Sequence, residues 1–152
     1  MQTEKSVEID RPIDEVFEYT TNNVAEWSIV VLESEVIEEK PEGVGTRFRI
    51  VTEERGKRME FDGVVTLHQP PVAQAVYMKG SHFDIEGEYR FEDLGGGRTR
   101  LTQRSTVNGK GFGKVILALC GWMMNKSSCN ALEKELVNLK RILEARESPA
   151  AT

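Results

Sequence analysis

The sequence predicts an α+β domain in which a curved antiparallel sheet wraps a long C-terminal helix. Three observations predict it. Residues 31–107 break into six strand-like segments, and nearly every separator carries glycine or proline. From Phe112 to about Arg146 there is no proline, and Cys129, Leu132, Leu136, Leu139 and Leu143 recur at helical spacing. Ahead of the six segments stand one short strand and two short helices.

The elements follow in order. Ser6 to Asp10 alternates, with Val7 and Ile9 on one face, and reads as a first strand. Pro12 suits the first helical position, and Asp14 and Glu15 fall in the first turn, where negative charge favours the helix dipole. Ile13, Val16, Phe17 and Thr20 make one helix face, and Asn22-Asn23 ends it. Val24 to Trp27 reads as a second short helix. The six strands are expected at 31–39, 46–53, 57–68, 75–80, 84–92 and 98–107. Pro41-Glu42-Gly43, Arg55-Gly56, Pro70-Pro71, Gly80-Ser81-His82 and Gly95-Gly96-Gly97 separate them, and Asn108-Gly109 closes the last. Such short connections give an antiparallel meander. A helix over 112–146 would be roughly 50 Å long. Gly121 costs about 1 kcal/mol in its interior, which favours a bend or close packing there. Residues 1–147 are expected to form one domain and 148–152 a disordered tail.

Composition bounds the function. The chain has 152 residues, 39% of them hydrophobic and 30% charged, as in a soluble globular domain. Its net charge of −5 makes it a poor binder of nucleic acid. Met1 to Asp10 is charged and has no apolar core of a secretory signal. The longest apolar stretch, Val115 to Met124, is far short of the roughly 20 residues that span a bilayer. Cys120 and Cys129 stand nine apart on one helix, where side chains do not meet, so both are expected as reduced thiols in a cytoplasmic protein.

Alternation assigns the faces of the strands. Ile85, Gly87, Tyr89 and Phe91 oppose a charged side and face in, as do Leu101, Gln103, Ser105 and Val107. So do Phe48, Ile50 and Thr52, Met59, Phe61 and Gly63, and Val76 and Met78. The outer face mixes arginines and carboxylates, the cross-strand pairing of a solvated surface. The inner face is apolar except for Thr52, Tyr89, Gln103 and Ser105. Apolar walls with a few hydrogen-bonding groups describe a binding pocket. The inward set contains no Asp, Glu, His or Lys to act as a general acid or base, which favours binding over catalysis.

Several stretches stand in a telling order: Val7-Glu8-Ile9-Asp10-Arg11-Pro12 with Val16-Phe17, Trp27, Gly43-Val44-Gly45-Thr46, Gly87-Glu88-Tyr89-Arg90-Phe91, Gly97-Arg98-Thr99-Arg100-Leu101-Thr102 and the run 132–140. Together they resemble the SRPBCC (START-like, Bet v 1-like) superfamily, especially its bacterial polyketide cyclase/dehydrase and lipid-transport branch. The resemblance covers roughly Lys5 to Arg146 and rests on order and spacing. It implies the helix-grip fold and a deep cavity between sheet and C-terminal helix that takes a small hydrophobic molecule such as a lipid or polyketide. Carriers, sensors and cyclases all occur in the superfamily, so fold alone does not choose between them.

The candidate ligand-binding residues are Trp27, Phe48, Ile50, Thr52, Phe61, Val76, Met78, Ile85, Tyr89, Gln103 and Ser105 from the sheet side, with Met123 and Ser127 from the helix. Tyr89 is the best catalytic candidate should the pocket work as a cyclase or dehydratase. Alternate turns of a meander share one end, and the resemblance implies that this end is the pocket mouth; it would carry Arg55, Lys57, Lys79, His82 and Lys110, with Arg55, His82 and Lys110 as a rim for an acidic or polar head. No His, Cys or carboxylate cluster has metal-ligand spacing, there is no Gly-x-Ser-x-Gly elbow, and no cofactor is implied. Gly109 to Lys114 lacks the spacing of a phosphate loop and reads as a strand-to-helix joint. Val115 to Met124, with Trp122, is expected to line core and cavity. A membrane-surface contact or a homodimer through Trp122 is the alternative.

Overall fold

The computed structural model describes residues 2–54 and 56–146; of residues 54, 112, 113 and 116–128 it describes the backbone alone. The chain runs β1 (Gln2–Ile9), α1 (Ile13–Asn22), α2 (Val24–Trp27), β2 (Val31–Glu38), β3 (Arg47–Glu54), β4 (Lys57–Gln69), β5 (Ala73–Lys79), β6 (Phe83–Gly95), β7 (Arg98–Gly109) and α3 (Phe112–Ala145). The seven strands form one antiparallel sheet in the order β1-β7-β6-β5-β4-β3-β2. The meander from β2 to β7 is the expected one, and β1 closes onto β7. Residues 148–152 lie outside the described residues.

β1 begins at Gln2 rather than Ser6, because its pairing with β7 runs from Gln2↔Thr106 to Ile9↔Thr99. This puts Thr3, Lys5, Val7 and Ile9 on the face that carries Ser105, Gln103, Leu101 and Thr99. β4 contains a bulge between Val65 and Leu67. A bulge shifts the alternation by one residue, so His68, not Leu67, follows Val65 on the inner face, opposite Gln74. Gly63 is needed where it stands, since a Cβ there would run into the Phe48 ring lying over it. The joint between β7 and α3 turns on Gly111, whose φ of 53° suits glycine.

α3 approaches the sheet along β1 and β7 and meets α2. Leu136, Leu139 and Leu143 pack there with Ile9, Val16, Phe17, Trp27, Phe91 and Leu101 in one buried core. At the same end, Arg11 clamps the end of the helix. Its Nε donates to the Leu143 carbonyl at 2.9 Å, and its second nitrogen donates to the carbonyls of Glu144, at 3.2 Å, and Arg146. A cation on the last carbonyls of a helix also complements its dipole. The Glu144 carboxylate accepts from the Asp10 N–H at 2.8 Å and from Lys140 at 2.7 Å.

The outer face carries the expected charge pairing. Arg104 meets Glu4, Arg98 meets Glu8, and Arg100 bridges Glu8 and Glu92, all at 3.1–3.2 Å across β1, β7 and β6. No helix is long and apolar enough to cross a membrane among the described residues.

Candidate functional site

The inner face can be followed as transverse rows, because register aligns one inward residue from each strand. The first rows lie under α1 and the C-terminal half of α3 and are closed: Ile9, Thr99 and Leu101 have no exposed surface, and Phe91 is 4% exposed. Next comes a row of polar side chains, Lys5·Gln103·Tyr89·Gln74·His68, one from each of β1, β7, β6, β5 and β4. Beyond it the walls turn apolar again, with Val76 and Val65 beside Ser105 and Gly87, then Ile85, Met78 and Phe48.

These apolar rows are only partly closed. Gly63, Val65 and Gly87 are buried, while Val76, Met78, Ile85, Ser105 and Phe48 are half-buried. Four of them stand on the middle strands β5, β6 and β7, where a sheet facing a helix should be most deeply covered. Around them lie the closed core on one side and, on β3 and β4, the buried pair Ile50 and Phe61. Thr52, half-buried on the same face of β3, has a hydroxyl oxygen that is covered but without a hydrogen-bond partner among the described residues. Apolar side chains left partly covered on central strands, beside a closed core, are what the lining of a hollow would leave.

Two concavities, of about 430 Å³ and 630 Å³, lie off this inner face. The first sits among the charged side chains of the outer sheet face, including Glu88, Arg90 and Arg104. The second lies on the outer side of α3, between Ile29, Val137 and Arg141. Neither touches the inner rows beyond Phe91.

Of the polar row, the sequence reading gave Tyr89 and Gln103 and missed Lys5, Gln74 and His68. Tyr89 and Gln103 are its centre. They are directly opposed across β6 and β7, and Gln103 Nε2 donates to the Tyr89 hydroxyl at 3.4 Å. Gln103 is 9% exposed, and its Oε1 has no hydrogen-bond partner among the described residues. Tyr89 meets the edge of Trp27, with ring centroids 6.4 Å apart. Burial, and secondarily the charge of Glu135, push the Tyr89 phenol above its ordinary pKa. At neutral pH it is therefore a proton donor and not a base. At the far end, His68 Nδ1 and Gln74 Oε1 are 2.8 Å apart, and the His68 ring packs against Phe17.

Glu135 comes from α3 and is 8% exposed. It accepts a hydrogen bond from Ser28 Oγ at 2.6 Å, and that oxygen in turn accepts from the N–H groups of Val30 and Val31. The carboxylate thus ties the loop after α2 to the helix above Tyr89. The expectation that no acid, histidine or lysine faces inward is therefore corrected by Glu135, His68 and Lys5.

Trp27 is a correction of another kind. It has no exposed surface, its indole N–H donates to the Thr20 carbonyl at 3.0 Å, and its own carbonyl accepts from Asn138. It belongs to the closed core and supports Tyr89 from behind rather than lining the hollow. The side chains of Met123 and Ser127, and those of Ile116 to Met124 with Trp122, lie outside the described residues. Val115 is half exposed, so the apolar stretch does not begin as core.

At the proposed mouth, Arg55 lies outside the described residues. The Lys110 ammonium is 2.7 Å from Asp84 Oδ1. Hydrogen bonding from Lys110 above all, helped by Tyr77, holds Asp84 below the usual carboxylate range against the opposing effect of burial. Lys110 is thus engaged, which weakens the expected basic rim. His82 is exposed, and its carbonyl accepts from the Lys110 N–H. The turn before β6 and the joint after β7 do meet. The β3–β4 hairpin runs on past that level from Phe61 to Lys57, roughly 13 Å at strand spacing, so its tip stands away from them. No group of three or more His, Cys, Asp or Glu is placed to hold a metal among the described residues.

Comparison with known proteins agrees with this architecture. Residues 1–144 match the sequence model of the family described as polyketide cyclase / dehydrase and lipid transport. A protein of Thermus thermophilus is 19% identical, with a TM-score of 0.79, covering 97% of this chain and 100% of its own. A START superfamily protein of Mycobacterium smegmatis is 17% identical, with a TM-score of 0.70 and 95% of each chain covered. The Zhui aromatase/cyclase of a Streptomyces species is 17% identical, with a TM-score of 0.70, covering 95% of this chain and 96% of its own. No curated protein matches the sequence. At these identities the structural likeness shows the helix-grip fold, and the family match shows the lineage.

Proposed function

The chain belongs to the polyketide cyclase/dehydrase and lipid transport family, and on that footing we propose that it binds a small hydrophobic molecule between the middle of the sheet and α3, as a cytoplasmic carrier or sensor. The observation that carries this reading is the half-buried state of Val76, Met78, Ile85 and Ser105 on central strands. Apolar side chains left uncovered inside a fold gain when a guest covers them, about 25 cal/mol for each Å² removed from water. The test is uptake of the neutral fluorophore N-phenylnaphthylamine, which brightens in apolar surroundings. Uptake by the wild type, lost when Val76→Trp or Ile85→Trp fills the hollow, supports the reading. No uptake, or uptake unchanged in both filled variants, overturns it.

A second reading is favoured by one feature, the protonated Tyr89 phenol close to the Glu135 carboxylate. A phenol kept neutral can donate to an oxygen that gains charge in a dehydration or an aldol-type ring closure. A cyclase or dehydratase acting on a polyketide-like substrate would use Tyr89 in that way. A Tyr89→Phe variant that binds ligand normally but loses turnover selects this reading. If the wild type turns nothing over, the carrier reading stands.

A further inference from the structure

We propose that the Tyr89–Gln103 pair is the polar anchor of the hollow and selects a neutral hydroxyl-bearing apolar ligand, an alcohol, enol or phenol, over a carboxylate. This rests on the carrier reading above and gives it a ligand class. The pair stands in register on neighbouring strands, where the closed core ends and the half-buried apolar rows begin. Gln103 is nine-tenths buried, yet its Oε1 has no partner among the described residues. Buried polar atoms are nearly always paired, so an unpaired one beside a hollow points to a missing group.

The hydrogen-bond count defines that group. As the amide stands, Gln103 donates to the Tyr89 oxygen, which leaves the phenol hydrogen, the second amide hydrogen and Oε1 open. With the amide turned over, Tyr89 would donate to Gln103, which leaves both amide hydrogens and the phenol oxygen open. Both arrangements offer donors together with an acceptor. A hydroxyl brings one of each and can meet both kinds. A carboxylate brings acceptors only and leaves one protein oxygen unpaired. It also brings negative charge to a place where the Glu135 charge already opposes ionisation of Tyr89. Trp27, fixed in the core behind Tyr89, holds the ring in place.

Lys5 is the alternative anchor. It is half-buried on the edge strand directly across from Gln103 and is the one lysine or arginine of the row. An anchor at Lys5 would reverse the selection, because an ammonium favours a carboxylate.

The experiment is displacement of N-phenylnaphthylamine from the full chain at neutral pH by decanol and by decanoate, which share a tail and differ in the head. Decanoate is also the better hydrated, so the readout is the change in their affinity ratio between wild type and Gln103→Leu. Leaving a buried partner unpaired costs enough to shift that ratio by about tenfold. The expected result is a wild-type preference for decanol that falls about tenfold in Gln103→Leu, with the fluorophore still bound. Tyr89→Phe, which keeps the ring, should produce a loss in the same direction. An unchanged ratio in both variants overturns the proposal while leaving the carrier reading intact. So does a decanoate preference that vanishes in Lys5→Met. Failure of the wild type to take up the fluorophore overturns both.

Discussion

Under the C-terminal half of α3, Ile9, Leu101, Leu139 and Leu143 have no exposed surface, whereas Val76, Met78 and Ile85, on the same face of the same sheet, remain half-buried. Both regions are apolar and both belong to continuous antiparallel strands. They differ in what lies above them. The closed region has leucines of α3, the inner face of α1, and Trp27 of α2 packed against it. The open region lies mainly on β5 and β6, to one side of β1 and β7, the strands along which α3 makes its approach. Close packing is therefore concentrated at one end and partly covered apolar surface at the other, with the polar row marking the border.

The comparison breaks most easily in the core. Leu139→Ala removes a fully buried side chain from a close-packed cluster and should cost about 2–5 kcal/mol in urea denaturation. Met78→Ala, in the open region, should cost below about 1 kcal/mol, because half of that burial benefit was never gained. Equal losses at the two positions would mean that the inner face is packed alike throughout.

The clamp at the closed end comes next. Arg11→Ala leaves the Leu143 and Glu144 carbonyls without their guanidinium donor and should lower stability by about 1.5–3 kcal/mol. Ligand affinity should hardly change, since Arg11 lies across the core from the hollow. A large loss of affinity with little loss of stability would put the clamp in the binding site.

Glu144 sharpens the picture through pH. Hydrogen bonding from Lys140 above all, then from the Asp10 N–H, lowers its pKa in the folded protein. A carboxylate with a lowered folded pKa stabilises the fold above its unfolded pKa, and that contribution disappears as the pH falls through the folded value. Glu144→Gln should therefore cost about 0.5–1 kcal/mol at neutral pH, with the difference from wild type closing below about pH 4. A difference that persists into acid would assign the loss to packing.

How much of this was legible in the sequence follows from what alternation can carry. The meander, the helix pair and α3 were readable, because glycine and proline mark the turns and leucines mark the helix. Val24–Trp27 was placed to the residue, and Tyr89 and Gln103 were assigned inward correctly. The rest of the polar row was not readable. His68 faces in because a bulge shifts β4 by one residue, and counting by twos from Phe61 passes over it. Lys5 lies in a stretch of β1 with no apolar alternation, which becomes a strand only by pairing with β7. Gln74 fell one residue outside the expected strand. Glu135 was hidden among other charged residues of α3, and only the placement of Ser28 opposite it shows that it points inward. Tertiary pairing decided each of these, and no local pattern contains it.

The smallest expected effect discriminates most sharply. Thr99 and Gln103 stand on the same face of β7, one on each side of the border, and both are buried. Thr99 Oγ1 donates to the Arg11 carbonyl at 2.8 Å, so its oxygen is used for folding. Thr99→Val should cost about 1 kcal/mol, the usual loss for one buried hydrogen bond. Gln103 offers folding only a 3.4 Å contact with Tyr89, and it keeps an acceptor desolvated without return. Gln103→Leu relieves that desolvation while losing the weak contact, so its stability should stay within about 0.5 kcal/mol of wild type, or rise. A buried polar residue whose removal costs the fold nothing is not retained for the fold. If Gln103→Leu instead destabilises as much as Thr99→Val or more, Gln103 is a structural residue, and the border between a closed core and a binding surface must move past the polar row.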